Sequence, residues 1–232
     1  MQLKLFISVF LISIFANTVI AQEDDGWVTK TYNIGDFSQI KLEGGFKVKL
    51  IQGDECSIKV KTTDDDVFDN LEIKNYDEEA KIELDMSFFE YRRVNLYITF
   101  KTLERLNIEG GVNLNTSGYL NLNNFAVKVE GGANIDLDMK ANNVEVYGEG
   151  GFLFELNGVA NKLDVEIKGA GHVNAADFKT KDVSFTVAGF GTGSVYATQS
   201  LDAKIEGVGK LRYKGDPKVK QYIDGLGSVK RY

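Results

Sequence analysis

Apolar and polar residues alternate with a period of two along nearly the whole chain after residue 37. Val127-Lys128-Val129, Ile135-Asp136-Leu137-Asp138-Met139, Leu163-Asp164-Val165-Glu166-Ile167, Val183-Ser184-Phe185-Thr186-Val187 and Leu201-Asp202-Ala203-Lys204-Ile205 are the clearest runs. Each sends one set of side chains to a core and the other to water, the pattern of a half-buried strand. No window carries an apolar stripe at helical spacing. Turn formers close the runs at Asn123-Asn124, Asn142-Asn143, Asn157-Gly158 and Asn161-Lys162, and the chain holds one proline. The pattern predicts an all-β protein.

A longer period lies over the short one. An apolar residue, a spacer and a glycine recur at Leu42-Glu43-Gly44, Ile108-Glu109-Gly110, Val129-Glu130-Gly131, Val146-Tyr147-Gly148, Ile167-Lys168-Gly169, Val187-Ala188-Gly189, Ile205-Glu206-Gly207 and Ile223-Asp224-Gly225. From Gly110 the glycines stand 21, 17, 21, 20, 18 and 18 residues apart. A spacing near 19 predicts a β-solenoid: one coil per repeat, a corner at each glycine, one strand approaching the corner and one leaving it. One coil cannot bury its apolar face alone. Stacked at about 4.8 Å, the coils pair their backbone edges and build a continuous interior column. If Gly169 has positive φ, Gly169→Val is expected to cost about 1–3 kcal/mol.

Residues 37–105 share this texture with looser spacing. Phe37 to Leu50 reads as a first coil, and Ile58-Lys59-Val60, Leu71-Glu72-Ile73, Ile82-Glu83-Leu84 and Val94 to Ile98 supply further strands. The interval from Gly44 to Gly110 has room for about three coils at this pitch. No Pro-, Ser- or Gly-rich linker follows residue 37, so residues 37–232 read as one domain, preceded by a polar, mobile segment at 22–36.

Residues 1–21 read as a secretory signal. Lys4 gives a basic start, Leu5 to Ala16 is an apolar run too short to span a bilayer, and Val19-Ile20-Ala21 offers a cleavage point before Gln22. An exported protein follows, in the periplasm, at the outer membrane or outside the cell. No later stretch is long and apolar enough for a transmembrane segment. The formal charge of −7 becomes −8 once Lys4 leaves with the leader. That balance argues against nucleic acid as a partner and disfavours attraction to anionic membranes. Cys56 stands alone, which excludes an internal disulfide and any multi-cysteine metal site. It reads as a small residue near a strand start.

The opening Phe37-x-x-Ile40-x-Leu42-x-Gly44-Gly45-Phe46-x-Val48-x-Leu50-x-Gln52-Gly53-Asp54 is similar to the start of head GIN domain proteins. The Gly-x-Gly units at Gly148, Gly169, Gly189, Gly207 and Gly225 resemble that family's Ser-Gly-x-Gly motif, and Leu211-x-Tyr213-x-Gly215-x-Pro217-x-Val219 looks like its end. The resemblance covers roughly residues 37–232. It implies a right-handed parallel β-helix in a secreted or envelope protein carrying the adhesin label. The chain departs from the family where the serine becomes Glu43, Glu109, Glu130, Tyr147, Lys168, Ala188, Glu206 or Asp224, and where the second glycine becomes Phe46, Val112 or Ala133.

Candidate chemistry is sparse. The Gly-x-Gly units run strand to strand and so do not form a phosphate cradle, which needs a helix. His172, the only histidine, alternates outward. No catalytic or cofactor-binding residue is assigned. Glu109 and Glu130, like Glu206 and Asp224, occupy one phase of successive coils and would stack about 5 Å apart outside. Either they form a solvated face, or Glu109 and Glu130 hold a divalent cation such as calcium. Asp64-Asp65-Asp66 and Asp77-Glu78-Glu79 lack an EF-hand's spacing and read as turn acids. Phe88-Phe89-Glu90-Tyr91 exposes at least one ring, suited to a glycan or a protein. Two functions stay open: a non-catalytic envelope module that binds glycan or an envelope protein, and a pectinase-like β-helix enzyme acting through paired carboxylates.

Overall fold

The computed structural model describes residues 19–22, 26–85 and 94–232. In chain order the strands are β1 (Val19–Gln22), β2 (Val28–Tyr32), β3 (Gln39–Gln52), β4 (Ser57–Thr62), β5 (Leu71–Tyr76), β6 (Glu79–Leu84), β7 (Val94–Phe100) and β8 (Arg105–Thr116). Then follow β9 (Leu120–Asn121), β10 (Asn124–Lys140), β11 (Asn143–Ile167), β12 (Ala170–Val187), β13 (Phe190–Ile205), β14 (Val208–Lys214), β15 (Lys218–Ile223) and β16 (Leu226–Arg231). From β8 onward they wind as a parallel β-solenoid. Asn124 of β10 lies beside Asn143 of β11, 19 positions on, and Phe190 beside Val208, 18 positions on.

Alternation decides which side chains enter the coil. In β10, Phe125, Val127 and Val129 are buried before the corner, and Ala133, Ile135, Leu137 and Met139 after it. We call these stretches the leading and trailing arms. Interior residues then stack from coil to coil, as where Val165 meets Phe185 and Phe185 meets Ala203, all fully buried. Large and small alternate down such a column: Phe185 lies over the site where a Cβ on Gly193 would stand 2.2 Å from its ring. At the return turn, Asn161 Nδ2 donates to Asn142 Oδ1 (2.5 Å) and Asn143 Nδ2 to Asn124 Oδ1 (2.7 Å). This amide ladder replaces backbone pairing where the chain reverses.

The corners form a column of eight glycines, Gly44, Gly110, Gly131, Gly150, Gly169, Gly189, Gly207 and Gly225. A Cβ on any of the last seven would come within 2.1–2.6 Å of the carbonyl oxygen of the glycine one coil before. This corrects two expectations. The fourth corner is Gly150, paired with Gly131, whereas Gly148 points into the core opposite Val129. Gly169 does not have positive φ; close approach of the neighbouring backbone is what demands glycine there.

The stretch between Gly44 and Gly110 does not hold three successive coils. Those two glycines are direct neighbours, because β3 pairs in parallel with β8 over Gln39–Leu50. The chain between them turns back and caps the stack. β6 and β7 pair in parallel with the two arms of β3, on the side away from β8. β5 closes onto β6, and β4 onto β7, both antiparallel. Within residues 22–36, β2 pairs antiparallel with both β4 and β1. Most of the leader, residues 1–18, and the aromatic segment Phe88-Phe89-Glu90-Tyr91 lie outside the described residues.

Candidate functional site

The outer faces of the leading arms carry the densest chemistry. Because the strands are in register, one phase places Glu83, Glu43, Glu109, Glu130 and Glu149 side by side on consecutive coils. Glu109 and Glu130 are therefore neighbours, as their spacing predicted. They belong to a longer acidic column that the sequence advertises as Glu-Gly-Gly repeated at 43–45, 109–111, 130–132 and 149–151.

Two residues earlier on each arm, lysines intervene. Lys41 Nζ bridges Glu43 (2.6 Å) and Glu109 (3.0 Å), and Lys81 Nζ bridges Glu43 (2.9 Å) and Glu83 (2.7 Å). Lys128 pairs with Glu130, and Lys204 with Glu206 at 2.9 Å. The column is thus a zipper of alternating sign across the coils. A calcium ion between Glu109 and Glu130 would have to displace Lys41 and Lys128. Hydrogen bonds from Lys41 and Lys81 hold the Glu43 carboxyl below the usual carboxylate range, while its own bond to Glu43 pushes Lys41 up.

In the middle of the stack the zipper opens into a groove. Ala126 contributes almost no bulk, leaving a depression walled by Arg105 and Lys128 on one side and by Glu145, Asp164 and Glu166 on the other. Tyr147 stands in it. Its hydroxyl donates to Glu149 Oε2 (3.0 Å), and the Lys168 and Lys128 ammonium groups lie 4.9 and 5.9 Å from its ring centre. The bond to Tyr147, and then that to Glu166, raises the pKa of Lys168.

The other predicted residues lie apart from this groove. His172 is exposed, its Nδ1 2.7 Å from Thr192 Oγ1. Cys56 directly precedes β4, half-buried against the core. Among the described residues, Asp64, Asp65 and Asp66 are the group of three acids close enough to share an ion. Asp64 Oδ1 accepts from the Asp66 N–H (3.1 Å) and so caps the 3-10 turn Asp65–Asp69.

A sequence family described as "Putative auto-transporter adhesin, head GIN domain" matches residues 36–217, most of the chain. The chain belongs to the head GIN domain family. Its fold is shared with a "putative adhesin" of Bacteroides fragilis, at 23% identity and a TM-score of 0.80, over 89% of this chain and 97% of that one. A "putative lipid binding protein" of Parabacteroides distasonis has 24% identity and a TM-score of 0.71, with 90% and 98% covered. A "putative adhesin" of Parabacteroides merdae has 21% identity and a TM-score of 0.58, with 90% and 97% covered. No curated protein is significantly similar to the chain in sequence. No helix among the described residues is long and apolar enough to cross a membrane.

In this head GIN domain, reading along single strands misses the groove. Arg105, Lys128, Tyr147 and Glu166 come together only when the sequence is read down the coils, at offsets of 19 to 21. Glu43 also gives the zipper a definite pH response. Because its folded pKa is depressed, its contribution is complete above its ordinary value of 4.5 and is lost as the pH falls through the lower folded value. Melting temperatures followed by circular dichroism are expected to hold from pH 7 to about 5 and then to drop. Glu43→Gln should lower the neutral plateau by no more than about 1 kcal/mol and shallow that drop.

Proposed function

We propose that this head GIN domain is an exported adhesion-type binding module, and that the Tyr147 groove takes an extended polar polymer, a glycan strand. One observation carries this reading. A solenoid repeats its outer groups once per coil, about every 4.8 Å, so its flank offers a polymer the same donors and acceptors at regular steps. At the groove those groups are Arg105 and Lys128 facing Glu145, Asp164 and Glu166. Opposed charges of this kind suit the hydroxyls and carboxylates of a sugar chain. The adhesin descriptions within the family support the same reading.

A glycan array with purified protein, followed by titration of the best binder, tests it. Tyr147→Ala is expected to weaken binding about tenfold, equivalent to about 1.4 kcal/mol, with an unchanged melting temperature. The same polymers are then incubated with the protein and assayed for new reducing ends. Release abolished by Glu145→Gln or Glu166→Gln would replace the binding module with a carboxylate enzyme.

A further inference from the structure

The two ends of the stack are made differently, and each suits the other. At the C-terminal end the interior column runs out into solvent. Val219 and Ile223 take the phase of the buried Leu201 and Ile205, yet they are 38% and 40% exposed, and Leu226 beside them is 75% exposed. The backbone is open as well. The Asp224 N–H donates back to Ile205 O (2.8 Å), so along β15 the even-numbered amides face the body of the protein. Strand alternation then points the amides of Val219, Gln221 and Ile223 to the outer edge.

At the opposite end β5 is also an edge. Among the described residues it pairs with β6 alone. The Asp85 N–H donates to Asn70 O (3.1 Å), which turns the even-numbered groups of β5 toward β6 and leaves those of Leu71, Ile73 and Asn75 outward. Both edge strands have six residues, and both cover a leading arm. Their surroundings carry opposite charge. Residues 208–232 hold seven bases and two acids, while residues 53–85 hold twelve acids and four bases.

We propose that copies of this chain stack end to end, the basic last coil of one seated on the acidic β5 end of the next. Because β5 runs against the coils, β15 of one copy would lie antiparallel to β5 of its neighbour, joining the free amides of both. Lysines on an edge strand normally guard against association. Lys218 and Lys220 guard against an edge like their own and attract the acidic one. The contact is heterologous, so it propagates instead of closing as a dimer.

Sedimentation velocity over a range of concentrations tests this. Mass should grow past a dimer as concentration rises and fall back in about 0.5 M salt, where screening shortens to a few ångströms. Gln221→Pro removes an outward amide and no internal hydrogen bond, so it should leave the fold intact and abolish growth. Ile73→Pro should do the same from the other end. Mixed, these two variants should form a 1:1 complex and nothing larger, since each retains one working end. Should Ile73→Pro not fold, Glu72→Lys combined with Asp69→Lys takes its place. A wild type that stays monomeric up to about 0.5 mM, a range that would detect even weak contacts, overturns the proposal. So does dimerisation of a head-blocked variant on its own, which would mean tail-to-tail pairing. A monomer that instead binds phosphatidylglycerol vesicles through Lys218 and Lys220 makes this end a membrane contact and also overturns it.

Discussion

Gly131→Ala is expected to destabilise the protein by about 3 kcal/mol or more, while Gly132→Ala, one residue on, leaves stability nearly unchanged. The two positions look alike in the sequence. At Gly131 a Cβ would stand 2.6 Å from the Gly110 carbonyl oxygen, and φ is +133°. The clash is with backbone held in the sheet ladder, which cannot rotate aside as a side chain would. At Gly132 φ is not in the left-handed region and a Cβ meets nothing within 4 Å. For a domain of this size the first substitution should lower the melting temperature by roughly 6–12 °C, read by calorimetry. Equal effects at the two sites would show that the column does not constrain the corner.

The second large effect concerns volume traded across one corner. Gly148 occupies an interior phase filled by Val129 in the coil before, and a Cβ there would lie 1.9 Å from the Phe152 ring. Phe152 in turn occupies the phase of Ala133. Each coil thus places one bulky and one small residue at these facing positions, and this coil reverses the order. Gly148→Val alone should cost about 3 kcal/mol by overpacking, and Phe152→Ala alone about 3–5 kcal/mol by opening a cavity. Together they recreate the Val129 and Ala133 arrangement, so the double variant should recover at least about 2 kcal/mol relative to the sum. Chemical denaturation of the four proteins measures that coupling; strict additivity would refute the exchange.

These two sites also mark how far the sequence could be read. Strand alternation from Val127 to Ile205 was legible because its cause is local: each residue's phase decides its side. The glycine period was legible for the same reason, except between residues 146 and 151. There an apolar-x-glycine triplet occurs out of phase, and only the reversed packing of Gly148 and Phe152 separates it from the true corner at Gly150. The order of stacking near β3 was not legible. A strand shows the same alternation whether its neighbour is 19 or 66 residues away, parallel or antiparallel. The candidate site was half legible. Glu109 and Glu130 were foreseen as neighbours, but Lys41 sits 68 residues before Glu109 and joins it only through the β3–β8 pairing.

The placement of β3 between β7 and β8 gives the two halves of the molecule different histories. C-terminal coils rest on the segment made just before them, so each can add to a finished surface, and removing them one at a time should leave a shorter staircase standing. β3 has no such sequence of arrivals. It is among the first segments synthesised, yet both of its flanks are supplied by residues made later, out to Thr116. A chain emerging amino end first must keep that segment waiting until half the polypeptide is out, so trimming from this side should bring down the whole, not shorten it.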